Sequence, residues 1–189
     1  VDHIKAGWET VQPNLVGWII YTVVFGVVVS VTFGLGAILG INFVRGAKAA
    51  VDSGGAPEIG ALFNFDNIVQ DIITMVIVGV ANSIGSALAG IGALITGTAL
   101  FWAPMLVADG QAEAVDACKA SVAHAKANFM EILVFLLIAS VLNMAGAIAC
   151  GLGMIVTAPV TVAAGILYYN SSKEEIRSLA TADGVTLIG

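Results

Sequence analysis

Three long stretches of this chain carry no charged side chain: residues 15–44, 72–108 and 132–172. A helix rises about 1.5 Å per residue, so about 20 apolar residues cross the roughly 30 Å hydrocarbon core of a bilayer. The second and third stretches approach twice that length, and each is expected to cross twice. Composition agrees, with 59% of residues hydrophobic and 11% charged, against about 25% charged in soluble domains. A water-soluble domain of 189 residues cannot hide so much apolar surface, so lipid is the expected solvent. The fold class expected is all-α: a polytopic integral membrane protein with six transmembrane helices, arranged as three helical hairpins with short interfacial helices.

Each uncharged stretch is divided by the same motif. Gly151-Leu-Gly-Met-Ile-Val-Thr157 matches Gly90-Ile-Gly-Ala-Leu-Ile-Thr96, and Gly34-Leu-Gly-Ala-Ile-Leu-Gly40 is a looser copy. Each reads as the tight turn or close crossing of a hairpin. The expected spans are 15–33 and 36–51, 69–89 and 92–108, and 129–149 and 153–170. For residues 15–51 a single long tilted helix is the rival reading, because the second helix must run through Arg45 and Lys48 with both side chains snorkelling to the interface.

The repetition extends past glycine. A shift of 61 residues lays Asn67 on Asn128, Asn82 on Asn143, Gly85 on Gly146 and Thr96 on Thr157; a shift of 114 lays Asp2, Lys5 and Asn14 on Asp116, Lys119 and Asn128. These registers predict a triplicated unit within one membrane domain, with repeats near 1–51, 52–109 and 110–172 and a polar tail at 173–189. The unit is an interfacial helix ending in Asn, a membrane helix, Gly-x-Gly and a second membrane helix.

The basic residues Lys5, Arg45, Lys48, Lys119, Lys126, Lys173 and Arg177 all lie between repeats or at the ends. Six crossings put them on one face, which the positive-inside rule makes cytoplasmic. The expected location is the bacterial inner membrane with both termini cytoplasmic. The net charge of −6 is spread over the connecting segments, and no basic cluster suggests nucleic acid. The chain starts at Val1 rather than Met, and residues 1–14 lack the basic and apolar regions of a signal peptide. They read instead as an amphipathic helix with Ile4, Trp8 and Val11 on one face, interrupted at Pro13. Trp8, Trp18 and Tyr21 suit the headgroup level.

Small residues mark helix-packing faces: Gly26, Ser30 and Gly34; Gly36 and Gly40; Gly90 and Gly92; Gly151 and Gly153; and Thr157, Thr161 and Gly165. Lipid gives helices no hydrophobic reason to associate, so close backbone approach at small residues matters. Pro104 and Pro159 are expected to kink the helices that hold them. Asn82 and Asn143 are the best intramembrane polar candidates, expected to bond a neighbouring helix; with Thr157 they form the candidate lining of a polar path. Asp71 and Glu131 are expected in first helical turns, where exposed N–H groups favour a carboxylate. Segment 52–67 reads as a surface loop, 109–126 as an interfacial helix, and the tail from residue 171 as frayed or surface-lying.

The chemistry-bearing classes find little footing. His3 and His124 each stand alone in a segment expected to be solvated. Cys118 and Cys150 are expected on opposite sides of the membrane, without a disulfide and without metal-ligand neighbours. The Gly-x-Gly copies lack the third glycine, preceding strand and acidic residue of a dinucleotide site. No nucleophile–base or paired-carboxylate constellation can be assembled. The expectation is therefore no catalytic residue, no metal and no cofactor.

The run Phe43-Val-Arg-Gly-Ala-Lys-Ala-Ala-Val-Asp-Ser-Gly-Gly-Ala-Pro-Glu58, followed by Leu62-Phe63, resembles a loop of uncharacterised prokaryotic six-helix membrane proteins. Ala123-His-Ala-Lys-Ala-Asn-Phe129 is similar to their entry into helix five. Related modules accompany glycerophosphodiesterase domains as membrane portions. The resemblance implies six helices, assigns no activity and carries over no functional residue. Three two-helix repeats also suggest mitochondrial carriers, but Pro104 and Pro159 are not followed by that family's charged signature.

The function expected is a non-enzymatic integral membrane protein, packing as a structural or assembly subunit through the small-residue faces. Its expected partners are membrane lipids and either copies of itself or another membrane protein. The alternative is a passive channel or transporter for a lipid or small neutral solute.

Overall fold

The computed structural model describes residues 2–32, 39–87, 91–148 and 153–188. Its regular structure there is entirely helical. In chain order the helices are α1 (Asp2–Val11), α2 (Leu15–Val31), α3 (Gly40–Ser53), α4 (Ile68–Ala87), α5 (Ile91–Ala99), α6 (Ala103–Ala108), α7 (Ala114–Ile148) and α8 (Met154–Ala182), with 3-10 turns at Gln12–Asn14 and Ile59–Phe63.

Four of the helical stretches are long and apolar enough to cross a membrane: Asp2–Val31, Ile68–Ser86, Ala114–Ile148 and Met154–Ala182. Gly92–Ala108 is apolar but shorter. α3 has 14 residues, about 21 Å at a helical rise, and contains Arg45, Lys48 and Asp52. It starts later than expected, at Gly40, and is among the least lipid-like of the helices.

Local chemistry sets the breaks. Pro13 lacks an N–H and turns the chain through a 3-10 segment between α1 and α2. Asn14 then takes φ −121°, ψ 29°. Asn128 takes φ −119°, ψ 28° and bends α7, so the expected interfacial helix and the following membrane helix are one kinked element. Pro104 does more than kink. The helix expected over 92–108 divides into α5 and α6, with Pro104 in the first turn of α6, a position where its missing N–H costs nothing. Pro159 lies inside an unbroken α8. α3 ends at Gly54, whose φ of 69° is left-handed. The N–H of Gly55 bonds Ala50 O at 3.0 Å and that of Gly54 bonds Val51 O at 3.4 Å, a Schellman closure that favours glycine.

The chain divides into two compact units: Val1–Asn64 with Leu137–Ser171, and Phe65–Leu136 with Ser172–Gly189. In the first, Trp18, Tyr21, Phe43, Leu62 and Ile166 form a buried cluster. Tyr21 stacks on Phe43 with centroids 5.0 Å apart and donates its hydroxyl to Phe43 O at 3.0 Å. Tyr21 and Trp18 are therefore core residues here. Asn42 is buried and donates to Leu62 O at 3.2 Å, tying α3 to the turn at 59–63. α1 lies flush on α8: a Cβ at Gly7 would sit 2.6 Å from Val160 O and 2.8 Å from Ala164 N.

In the second unit, Trp102, Leu106, Ile132 and Ile176 are buried. The tail is helical to Ala182 rather than frayed. Lys173 pairs with Asp109 at 2.7 Å, Arg177 donates to Gln111 Oε1 at 2.6 Å, and the Ile188 N–H bonds Gln111 O at 2.6 Å.

Candidate functional site

Within each described hairpin crossing, two glycines meet. A Cβ on Gly85 would fall 2.6 Å from Gly92 O and 2.6 Å from Thr96 Oγ1. A Cβ on Gly146 would fall 2.6 Å from Thr157 Oγ1 and 2.9 Å from the carbonyl carbon of Gly153. Both pairs bring α-helical backbones into contact, and the second pair stands 61 residues after the first. Gly34, Gly36, Gly90 and Gly151, together with Cys150, lie outside the described residues.

The two amides bond across these crossings. Thr96 Oγ1 donates to Asn82 Oδ1 at 2.9 Å. Asn143 Nδ2 donates to Thr161 Oγ1 at 3.1 Å, while Asn143 Oδ1 and Thr157 Oγ1 are buried without a hydrogen-bond partner. The equivalent bond in the earlier hairpin joins the residues at those two positions. Asn82 and Asn143 thus serve interhelical bonding, and they belong to different units.

The remaining small residues separate into two groups. Gly165 is buried in α8 and Gly40 opens α3. Gly26 is exposed, with no described atom within 4 Å of where its Cβ would be, and Ser30 beside it is exposed and donates to Gly26 O at 2.8 Å. α4 repeats the pattern, since Gly79 also has nothing within 4 Å and Ser83 donates to Gly79 O at 2.8 Å.

His124 departs from its expected solvation. It is 1% exposed and its Nδ1 accepts the indole N–H of Trp102 at 2.9 Å. That bond requires an unprotonated Nδ1, so the neutral ring carries its proton on Nε2, which faces Glu175 Oε2 at 3.7 Å. Asn128 Nδ2 donates to Glu175 Oε1 at 2.9 Å. Its 3.3 Å approach to His124 Nε2 is then packing, since both nitrogens carry protons. Burial holds the imidazole below its ordinary range, and the nearby Glu175 carboxylate offsets only part of that. Ser121, one turn earlier, accepts the Trp102 backbone N–H at 3.1 Å and donates to Ala99 O at 2.8 Å, closing the break between α5 and α6. The sequence signal for this cluster was faint: His124 and Asn128 stand four apart, one turn of a helix.

Asp71 lies in the first turn of α4 as expected, and it is 1% exposed. Glu131 falls inside α7, one turn past the Asn128 bend. His3 stacks on Tyr168 with centroids 4.7 Å apart. Cys118 is a buried free thiol pushed up by burial, which makes it a poor nucleophile. Among the described residues, no group of three or more His, Cys, Asp or Glu could hold a metal ion.

These features define an all-helical protein with four helices suited to a membrane and glycine-mediated helix crossings. No protein-family model, curated protein or solved structure matches the chain.

Proposed function

We propose that this is a non-enzymatic integral membrane protein of the bacterial inner membrane, acting as a packing or assembly subunit that associates with copies of itself or with a membrane partner. The observation that carries this reading is the exposed Gly26–Ser30 face of α2, where no described residue comes within 4 Å of a Cβ placed on Gly26. Glycine and serine four apart let a second helix approach backbone to backbone, and lipid tails fill such a face poorly. The Gly79–Ser83 face of α4 offers the same geometry. The crossings at Gly85 and Gly146, by contrast, are occupied within the chain.

Lipid contact is supported by the outward rows of large side chains. Val16, Ile20, Val23, Val27 and Val31 of α2 are all at least 41% exposed, and so are Val69, Val76, Val80 and Ile84 of α4. Each row runs for about 22 Å along its helix, most of the roughly 30 Å of a hydrocarbon core. The matched crossings and the shared bend at Asn14 and Asn128 support a repeated hairpin unit, and six crossings keep every basic segment on a cytoplasmic face. The polar-path alternative has less behind it, because the amides are engaged at the hairpin crossings.

Alkaline carbonate washing should leave the protein in the membrane pellet. Native mass spectrometry from nanodiscs should then give a discrete oligomer or a stoichiometric partner complex, and Gly26→Leu should dissociate it without unfolding the chain. A strict monomer with no partner, before and after this substitution, would sink the assembly reading.

A further inference from the structure

We propose that the first unit holds one acyl chain of an anionic membrane phospholipid in the groove between α1, α7 and α8, with the lipid phosphate on Lys5. This rests on the membrane reading above. The groove has a volume of about 350 Å³ and an almost wholly apolar lining from Ile4, Trp8, Leu142, Val156 and Val160. That size falls at the small end of ligand sites, roughly 300–1,000 Å³, and suits part of a lipid tail.

Two close backbone contacts fix its shape. α7 is pressed on α8 where Gly146 meets Gly153, and α1 is pressed on α8 where Gly7 meets Val160 and Ala164. α8 is therefore pinned on both sides of the groove, and the side chains between cannot close it without moving a helix. Thr157 also lines the groove, but its hydroxyl is buried, packed against Gly146 in the crossing. A polar occupant would lose its hydrogen bonds in such a slot, whereas an apolar one gains dispersion contacts at no such cost.

The surroundings choose the occupant. The same helices carry exposed apolar residues on their other faces: Val141 of α7 is 61% exposed, Met144 60% and Met154 of α8 43%. In a bilayer these side chains meet lipid tails, so a tail can enter sideways without passing through water. Lys5 completes the site. Its side chain is 78% exposed and its pair with Glu9 is long, at 3.8 Å, so the pair holds the lysine only weakly. Trp8 beside it is 39% exposed and suits the headgroup level. A tail in the groove and a phosphate at Lys5 match one anionic phospholipid.

The test is native mass spectrometry of the full chain in detergent, titrated with phosphatidylglycerol or phosphatidylcholine, after carbonate washing has established where the protein fractionates. One bound lipid is expected, with phosphatidylglycerol favoured about fivefold through the single lysine. Leu142→Trp fills the groove and should weaken binding about tenfold, the effect of excluding roughly two methylenes. Lys5→Gln should keep the lipid and lose the headgroup preference. Val141→Trp, on the outward face, should change neither. Should Leu142→Trp fail to fold by circular dichroism, Ile4→Trp fills the groove from α1 instead. Unchanged affinity in the folded groove variant, or an unchanged headgroup preference in Lys5→Gln, overturns the proposal. A carbonate-resistant protein that holds no lipid removes the groove site and leaves the membrane reading standing. Release by carbonate removes both.

Discussion

The indole N–H of Trp102 donates to Nδ1 of His124 at 2.9 Å, joining side chains 22 residues apart in the chain. The bond has a direct electrostatic consequence. A second proton on the ring must go to Nδ1, where the indole N–H already points, and burial adds a desolvation penalty. The folded ring therefore binds its proton less readily than the unfolded one, whose ordinary pKa is about 6.5. The unfolded state holds more protons in the window below that value, so stability rises with pH there. His124 contributes fully above about pH 6.5, and its contribution is lost as pH falls through the lower folded value. The difference in thermal stability between wild type and His124→Gln, measured in detergent, should shrink on acidification from pH 7 to pH 5. A pH-independent difference would mean that the folded and unfolded rings bind their proton equally well, and a difference that grows on acidification would mean that the folded ring is already charged.

Trp102→Phe keeps an aromatic side chain but removes the N–H donor and one of the two fused rings at a fully buried position. It should cost about 2–4 kcal/mol, one buried hydrogen bond plus the cavity left behind, and should return the imidazole toward its ordinary pKa. Histidine proton resonances followed by NMR titration report that shift directly. An unchanged titration would place the pKa control in burial alone.

Gly146 and Gly26 should respond oppositely to the same methyl group. Gly146→Ala brings a Cβ within 2.6 Å of Thr157 Oγ1 and 2.9 Å of the Gly153 backbone, so the hairpin must part, at about 1–3 kcal/mol. Gly26→Ala meets nothing within 4 Å and should leave the monomer's thermal midpoint unchanged or slightly higher through helix propensity. Equal loss in the two variants would refute the assigned crossing.

The two threonines 61 residues apart offer a matched comparison. Thr96→Val removes the 2.9 Å bond to Asn82 Oδ1 and should cost about 0.6–2 kcal/mol. Thr157→Val removes a buried hydroxyl with no partner, so it should be neutral or stabilising. Reversible unfolding of both variants in mixed micelles gives the two values. A larger loss at Thr157 than at Thr96 would show that its hydroxyl has a partner in the folded protein.

Lys173→Ala should loosen the C-terminal segment. The Lys173 side chain is 31% exposed and that of Asp109 13%, a pair sheltered enough to be worth about 1 kcal/mol. Limited proteolysis should then cut beyond Ala182 faster than in wild type. Resistance equal to wild type would assign the docking to the contacts of Arg177 and Ile188 with Gln111.

The sequence by itself determined the features that act over one or two helical turns. Uncharged runs set which segments are long and apolar. Pro13 placed the break between α1 and α2, and the aligned asparagines predicted matching junctions, which Asn14 and Asn128 now share in backbone angles. The glycines at 85, 92, 146 and 153 were legible because only a residue without a Cβ tolerates such an approach. Tertiary structure alone decided the rest. His124 looked solvated because its neighbours in the chain are small, whereas its partners come from residues 22 and 51 positions away. Gly7 showed no repeat or motif, and its need for glycine arises only where α1 meets α8. The tail's charges read as solvated until Asp109 and Gln111 were found opposite them. Periodicity and propensity report the chain's own neighbourhood, whereas burial and pairing depend on what distant segments bring to the same point.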